Sequence, residues 1–214
     1  MSIRSAARAA YVGLAALDAT LAGLGGRARS GRLVTKTALM PTLAVTAPRR
    51  PSLLSGLALS WVGDVALLGR SPARVAGGAG AFAAAHVAYL AGMGTAARLH
   101  RVDEWPWPAR LYGLAALGVT PFAIRGAARE SAALGAVVGG YAVVVTALVA
   151  GSGLTGDRAT QRGGLLFGVS DALLGLRMFT PVGAGPHARW LDAAVMLTYT
   201  AAQACLVDGM TAEG

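Results

Sequence analysis

Eight apolar blocks separated by short charged or proline- and glycine-rich joints make up most of the 214 residues, at roughly 6–26, 33–47, 52–69, 76–96, 108–124, 131–151, 163–180 and 188–208. A helix needs about 20 mainly apolar residues to cross the ~30 Å hydrocarbon core of a bilayer. The pattern predicts an all-α, polytopic membrane protein: a bundle of about eight transmembrane helices forming a single integral membrane domain over 1–214. The second and fifth blocks are the shortest for the task. Pro48, Pro51, Pro72, Pro106, Pro108, Pro181 and Pro186 mark the joints, where a missing N–H and a fixed φ end helices.

Composition agrees with a lipid solvent. The chain is 55% apolar and 14% charged, against about 25% charged in an ordinary soluble domain. The net charge of +9 comes from 18 arginines and a single lysine scattered over nearly every loop. No basic stripe or aromatic platform accompanies them, so nucleic acid is not an expected partner; arginines at helix ends anchor to phospholipid headgroups instead. Nine flank the N-terminus and the even-numbered joints and eight the odd ones, which leaves orientation open under the positive-inside rule. Arg4 and Arg8 ahead of an apolar run resemble a signal peptide, but Asp18 interrupts that run, so the segment reads as a retained first helix. The Ala-, Gly- and Arg-rich, Lys-poor composition suggests a GC-rich bacterial genome, and the expected location is the cell membrane.

The helices are built to approach closely. Gly80, Ala84, Ala88 and Gly92 recur every fourth residue, as do Gly135 with Gly139 and Gly164 with Gly168; small residues at that spacing let backbones meet within a bilayer.

Function is expected where polarity persists inside the apolar blocks. Trp-Val-Gly-Asp-Val-Ala-Leu-Leu-Gly (61–69) and Gly-Val-Ser-Asp-Ala-Leu-Leu-Gly (168–175) each bury an aspartate, Asp64 and Asp171, in a membrane-length run. An ionisable group at that depth costs a few kcal/mol on insertion scales of about 2.5–3.5 kcal/mol. It is retained for pairing, for a wet cavity or for chemistry. Ser60 lies one turn before Asp64. Phe82, His86 and Tyr89 share a face of the fourth segment, and Asp192, Tyr199 and Gln203 a face of the eighth. Lys36 sits inside the second segment, where it could neutralise an aspartate as a structural ion pair; Asp18 fits helix packing or the same pairing. Arg177 reads as a side chain snorkelling to the interface. Cys205 is the only cysteine and His100 and His187 fall in joints, so neither a disulfide nor a three-histidine metal site is expected.

These groups occur in an order that resembles the YhhN-like lysoplasmalogenase family. The resemblance rests on Lys36-Thr-Ala-Leu-Met-Pro41, Leu-Ser-x-x-Gly-Asp-x-x-Leu-Leu from Leu59 to Leu68, Phe82-x3-His86-x2-Tyr89, Ser170-Asp171-x-Leu-Leu and Tyr199-x3-Gln203. It covers about residues 33 to 207 and implies hydrolysis of the vinyl ether bond of lysoplasmalogens to a fatty aldehyde and a glycerophospho-alcohol, with a lysophospholipid as substrate and no cofactor. Such a bond is cleaved by protonation of its β-carbon, attack of water on the resulting oxocarbenium ion and collapse of the hemiacetal. That sequence wants one protonated carboxyl and one carboxylate, as in glycosidases. Asp64 and Asp171 are the expected catalytic pair, with the acid unassigned. Lys36 and His86 are expected to tune them or bind phosphate; Ser60, Tyr89, Tyr199 and Gln203 are expected to orient substrate or water. Asp192 matches no motif of the family and is kept as a further substrate-binding candidate. A proton- or cation-coupled transporter would use the same carboxylates, and discontinuous helices would mark it.

Overall fold

A computed structural model describes residues 2–69, 71–185 and 187–212; Arg70 and the joint residue Pro186 lie outside the described residues. The described chain is all-helical, without a strand. Its helices are α1 (Ile3–Leu24), α2 (Arg29–Ala44), α3 (Pro51–Ala66), α4 (Pro72–Met93), α5 (Trp107–Ala128), α6 (Ala132–Leu154), α7 (Arg158–Phe179), the single-turn α8 (Pro181–Ala184) and α9 (Ala188–Ala212).

Local chemistry sets these limits. Ser71, Ser131 and Asp157 accept the first free backbone N–H groups of α4, α6 and α7, satisfying donors that a helix start leaves orphaned. Pro51 and Pro72 occupy first-turn positions, where proline costs nothing. Gly94, at φ +66°, ends α4 in the left-handed conformation that glycine adopts without strain. Pro41 and Pro121 lie within α2 and α5. The fifth block therefore continues past its proline to Ala128, four residues beyond the expected limit, as membrane helices tolerate. The seventh begins at Arg158 rather than 163 because Asp157 caps it there.

Four helices are long and apolar enough to cross a membrane by length and composition: α4, α5, α6 and α9. The expectation of eight spans is thus met in part. The other long helices fall short for identifiable reasons. α2 and α3 have 16 residues each, about 24 Å at 1.5 Å per residue. α1 carries Arg4, Arg8 and Asp18, and α7 carries Arg158, Arg162, Asp171 and Arg177.

Joints of only a few residues lay successive helices antiparallel, α1 on α2, α2 on α3, α3 on α4, α5 on α6 and α6 on α7; α9 packs on α7 and α1, and α4 on α6. Tyr11, Leu39, Leu57, Phe82, Tyr89, Phe167 and Leu206 are among the core side chains. The outer surface is apolar: Leu111, Leu114, Leu117 and Phe122 of α5 point outward, while Trp107 and Trp190 stand exposed at helix ends, the place indoles take at a membrane interface.

Glycine makes the close approaches. A Cβ at Gly63 would stand 2.6 Å from the Phe82 ring, one at Gly163 2.8 Å from Leu206, and one at Gly168 2.7 Å from Tyr112 and Val149. Gly135 and Gly164 likewise face neighbouring helices, whereas Gly80 faces nothing within 4 Å and plays no part in packing. Gly56 offers a clear test, because a Cβ there would overlap the ring of Tyr89, itself hydrogen-bonded in place. Gly56→Ala is expected to cost about 1–3 kcal/mol, as overpacking does, and Gly80→Ala to stay within about 0.5 kcal/mol of wild type. Thermal unfolding of the two variants in the same detergent checks the contrast.

Candidate active site

Asp64 lies on the last turns of α3, where its helix places Ser60 one turn earlier on the same face. Both of its carboxylate oxygens are engaged. Lys36 Nζ of α2 is 2.8 Å from Oδ1, and the Tyr199 hydroxyl of α9 donates to Oδ2 at 2.7 Å. Asp64 and Lys36 are both buried. One turn along, Gln203 Nε2 donates to Ser60 Oγ at 2.9 Å, and Tyr89 of α4 donates to Gln203 Oε1 at 2.6 Å. Asp64 with Tyr199 and Ser60 with Gln203 are therefore two rungs between α3 and α9, each helix contributing residues i and i+4. Five expected residues besides Asp64 — Lys36, Ser60, Tyr89, Tyr199 and Gln203 — meet in this network.

Asp18 forms a neighbouring cluster. Fully buried, it accepts from the Thr35 hydroxyl and lies 3.5 Å from Arg32. Thr35 is adjacent to Lys36, so α2 offers two cations one turn apart to two buried aspartates.

Asp171 occupies a different setting. The Tyr141 hydroxyl of α6 donates to its Oδ2 at 2.9 Å, and His86 Nε2 of α4 lies 3.5 Å from the same oxygen. His86 Nδ1 is hydrogen-bonded to the carbonyl of Phe82 one turn back. Asp171 also borders a cavity of about 330 Å³ between α4, α5, α6 and α7, walled by side chains such as Leu67, Phe82, Leu134, Val145 and Phe179. Among the lining residues only Tyr112, Thr120, Tyr141 and Asp171 carry polar side-chain atoms. Volume and lining are those of a site for a largely apolar ligand held by a few polar groups.

An aromatic layer links the two aspartates' surroundings. The Phe167 ring is 4.5 Å from His86 and 5.5 Å from Tyr199, and Phe82 is 5.8 Å from Tyr199, all edge-to-face. Such pairs add to the energy of burial and fix ring orientation.

Asp192 stands apart. It pairs with Arg177, Nε to Oδ1 at 3.0 Å, both side chains partly exposed, and Arg177 also donates to the Gly183 carbonyl. Arg177, expected to snorkel to the interface, is thus an ion-pair partner. Periodicity found the face that Asp192 shares with Tyr199 but not its level, seven residues or about 10 Å along the helix. Tyr141 and Tyr112 were missed; the one signal for Tyr141 was an isolated phenol in an otherwise apolar run. Among the described residues no three His, Cys, Asp or Glu side chains converge as a metal site requires.

A buried pair that loses one partner leaves an uncompensated charge, a loss of about 3–5 kcal/mol. Lys36→Met is expected to destabilise by that order, and Lys36→Met combined with Asp64→Leu to recover most of it. The double-mutant cycle, read by thermal unfolding in detergent, checks this coupling.

Comparison with known proteins bears on the same residues. The profile of the YhhN family matches residues 31–210, which include both polar networks and every wall of the cavity. No curated protein and no solved structure matches the chain. The family includes lysoplasmalogenases. With most of its length matched, from α2 through α9, the chain belongs to the YhhN family.

Proposed function

We propose that the protein is a membrane hydrolase that cleaves the vinyl ether bond of lysoplasmalogens, releasing a fatty aldehyde and a glycerophospho-alcohol. The observation that carries the proposal is Asp171 in the wall of a largely apolar cavity. The cavity takes the alkenyl chain, and the bond next to the headgroup comes to the carboxyl. Family membership supports the reaction class.

The two aspartates divide the work because their surroundings differ. Asp171 has no lysine or arginine partner among the described residues and gives its proton to the β-carbon of the vinyl ether. Asp64, held by the Lys36 ammonium and the Tyr199 phenol, stays a carboxylate and stabilises the oxocarbenium ion through the aromatic layer, where few competing dipoles screen it. Tyr141 orients Asp171; Tyr89, Gln203 and Ser60 keep α3, α4 and α9 in register. All eight long helices cross the bilayer on this reading, with Asp18, Lys36 and Asp64 of α1, α2 and α3 buried beside charged partners. The helices that carry Asp64 and Asp171 are continuous through both residues, which favours an enzyme over a transporter built on broken helices.

Purified protein in detergent is expected to release aldehyde from synthetic lysoplasmalogen. Asp64→Asn and Asp171→Asn should each lower turnover by the ~10²–10⁴-fold typical of lost acid–base groups. Absence of aldehyde from folded wild type, or near-wild-type turnover in both variants, overturns the proposal. The cavity makes a separate claim. Ala116→Phe, which fills space along the α5 wall, should reduce kcat/KM at least tenfold for long alkenyl chains and less for short ones, since each methylene in an apolar pocket is worth about 1–3 kcal/mol. A series of chain lengths assayed with both proteins decides it.

A further inference from the structure

His86 is fully buried, and its Nε2 is a buried polar atom without a hydrogen-bond partner among the described residues. The other ring nitrogen is committed to the Phe82 carbonyl. A carbonyl can only accept, so Nδ1 carries a hydrogen, and in a neutral ring Nε2 presents its lone pair. Nε2 stands 3.5 Å from Asp171 Oδ2 without a hydrogen bond between them, a gap too small to hold a bridging water. A carboxylate there would set lone pair against lone pair, with the Tyr141 hydroxyl the donor to its Oδ2 and none to Nε2. A single proton held between the two groups removes the conflict and leaves the pair electrically neutral. Other groups do not change that count. Tyr141 of α6 already donates to Oδ2, and Tyr112 of α5 shares the cavity wall with Asp171. Phe167 of α7 presents a ring edge to His86. Asp64 of α3 and Tyr199 of α9 hydrogen-bond each other. Among the described residues neither His86 nor Asp171 meets a lysine or arginine.

We propose that His86 is a positioning residue that shares one proton with Asp171, so that this pair acts in turn as acid and as base of the hydrolysis. The proposal rests on the hydrolase reading above and assigns it the base that the second carboxylate was expected to supply.

Each step balances. The carboxyl O–H of Asp171 breaks and its proton joins the β-carbon, the C=C electron pair forming the new C–H bond and leaving an oxocarbenium ion. The pair is now without its proton, with carboxylate and imidazole lone pair opposed, and takes one from water as the water oxygen bonds to the cationic carbon. The hemiacetal then collapses. The bond from its carbon to the glycerol oxygen breaks, the glycerol oxygen receives a proton from Asp171, and the hemiacetal hydroxyl returns one. Aldehyde and alcohol leave, and the pair is reset with one proton. A group that serves as acid and then base at one centre is the economy of retaining glycosidases.

Two measurements test the proposal. In the first, nitrogen-15 NMR of the histidine side chains follows the His86 ring with pH in wild type and in Asp171→Asn, without substrate. Two groups that share a proton titrate as a unit, so the His86 transition should move by more than about one pH unit in Asp171→Asn. An unmoved transition overturns the proposal whether or not the protein is a hydrolase. In the second, aldehyde release by His86→Gln, whose side-chain amide can occupy the site but does not ionise, is followed over pH. Expected is a kcat at least about 100-fold below wild type, a KM within threefold, and loss of the alkaline limb of the pH profile, while Tyr141→Phe keeps that limb. A kcat within threefold of wild type with an unchanged profile overturns it. If wild type releases no aldehyde, the hydrolase reading fails, and the first measurement still decides the shared proton.

Discussion

A lysine and an aspartate facing each other inside an apolar bundle set the terms for everything around them. Either charge alone is expensive at that depth; together, with the Tyr199 phenol on the remaining oxygen, they are satisfied. The arrangement requires α2, α3 and α9 to converge at one point. It requires the backbone of α3 to close on Tyr89 and Phe82 of α4, which glycines at 56 and 63 permit. It also fixes Tyr199, whose ring belongs to the aromatic layer reaching His86 through Phe167. The ion pair thus holds the geometry in which the second aspartate sits.

The two aspartates look alike in sequence and differ in structure. Asp64 has both oxygens engaged by named partners and borders no described cavity. Asp171 has two partners on one oxygen and an apolar cavity beside it. Similar words in the chain have become two different electrostatic settings. A division of labour between carboxylates arises in this way, from what each helix is packed against and not from the residue itself.

Much of this was legible before any coordinates. Helix existence followed from eight apolar blocks, and most limits from prolines, since a missing N–H is a local effect. Faces followed from period: Ser60 with Asp64 and Tyr199 with Gln203 were paired on their helices and are paired in space. Depth and partner choice were not legible. Asp192 shares a face with Tyr199 but lies about 10 Å away along the helix, beside Arg177. Lys36 could have met either of two aspartates, and only the packing of α2 on α3 chooses Asp64. Tyr141 gave no more than an isolated phenol, because its role depends on α6 lying across from α7. Length and hydropathy single out four helices, because α2 and α3 are short and the charged residues of α1 and α7 lower their mean hydropathy.

The wall of the cavity formed by α5 carries a consequence for kinetics. That helix packs on α6 and α7 and turns Leu111, Leu114, Leu117 and Phe122 outward, so on the hydrolase reading one apolar helix stands between the site and the acyl chains. On the hydrolase reading, substrate and one product share the two-dimensional solvent in which the enzyme itself is dissolved. Saturation is then governed by the mole fraction of lysolipid in the leaflet or micelle, and adding inert lipid at constant substrate slows turnover by surface dilution. The products part by phase as they form, the aldehyde staying in the hydrocarbon and the glycerophospho-alcohol passing to water, and that separation draws the hydrolysis forward.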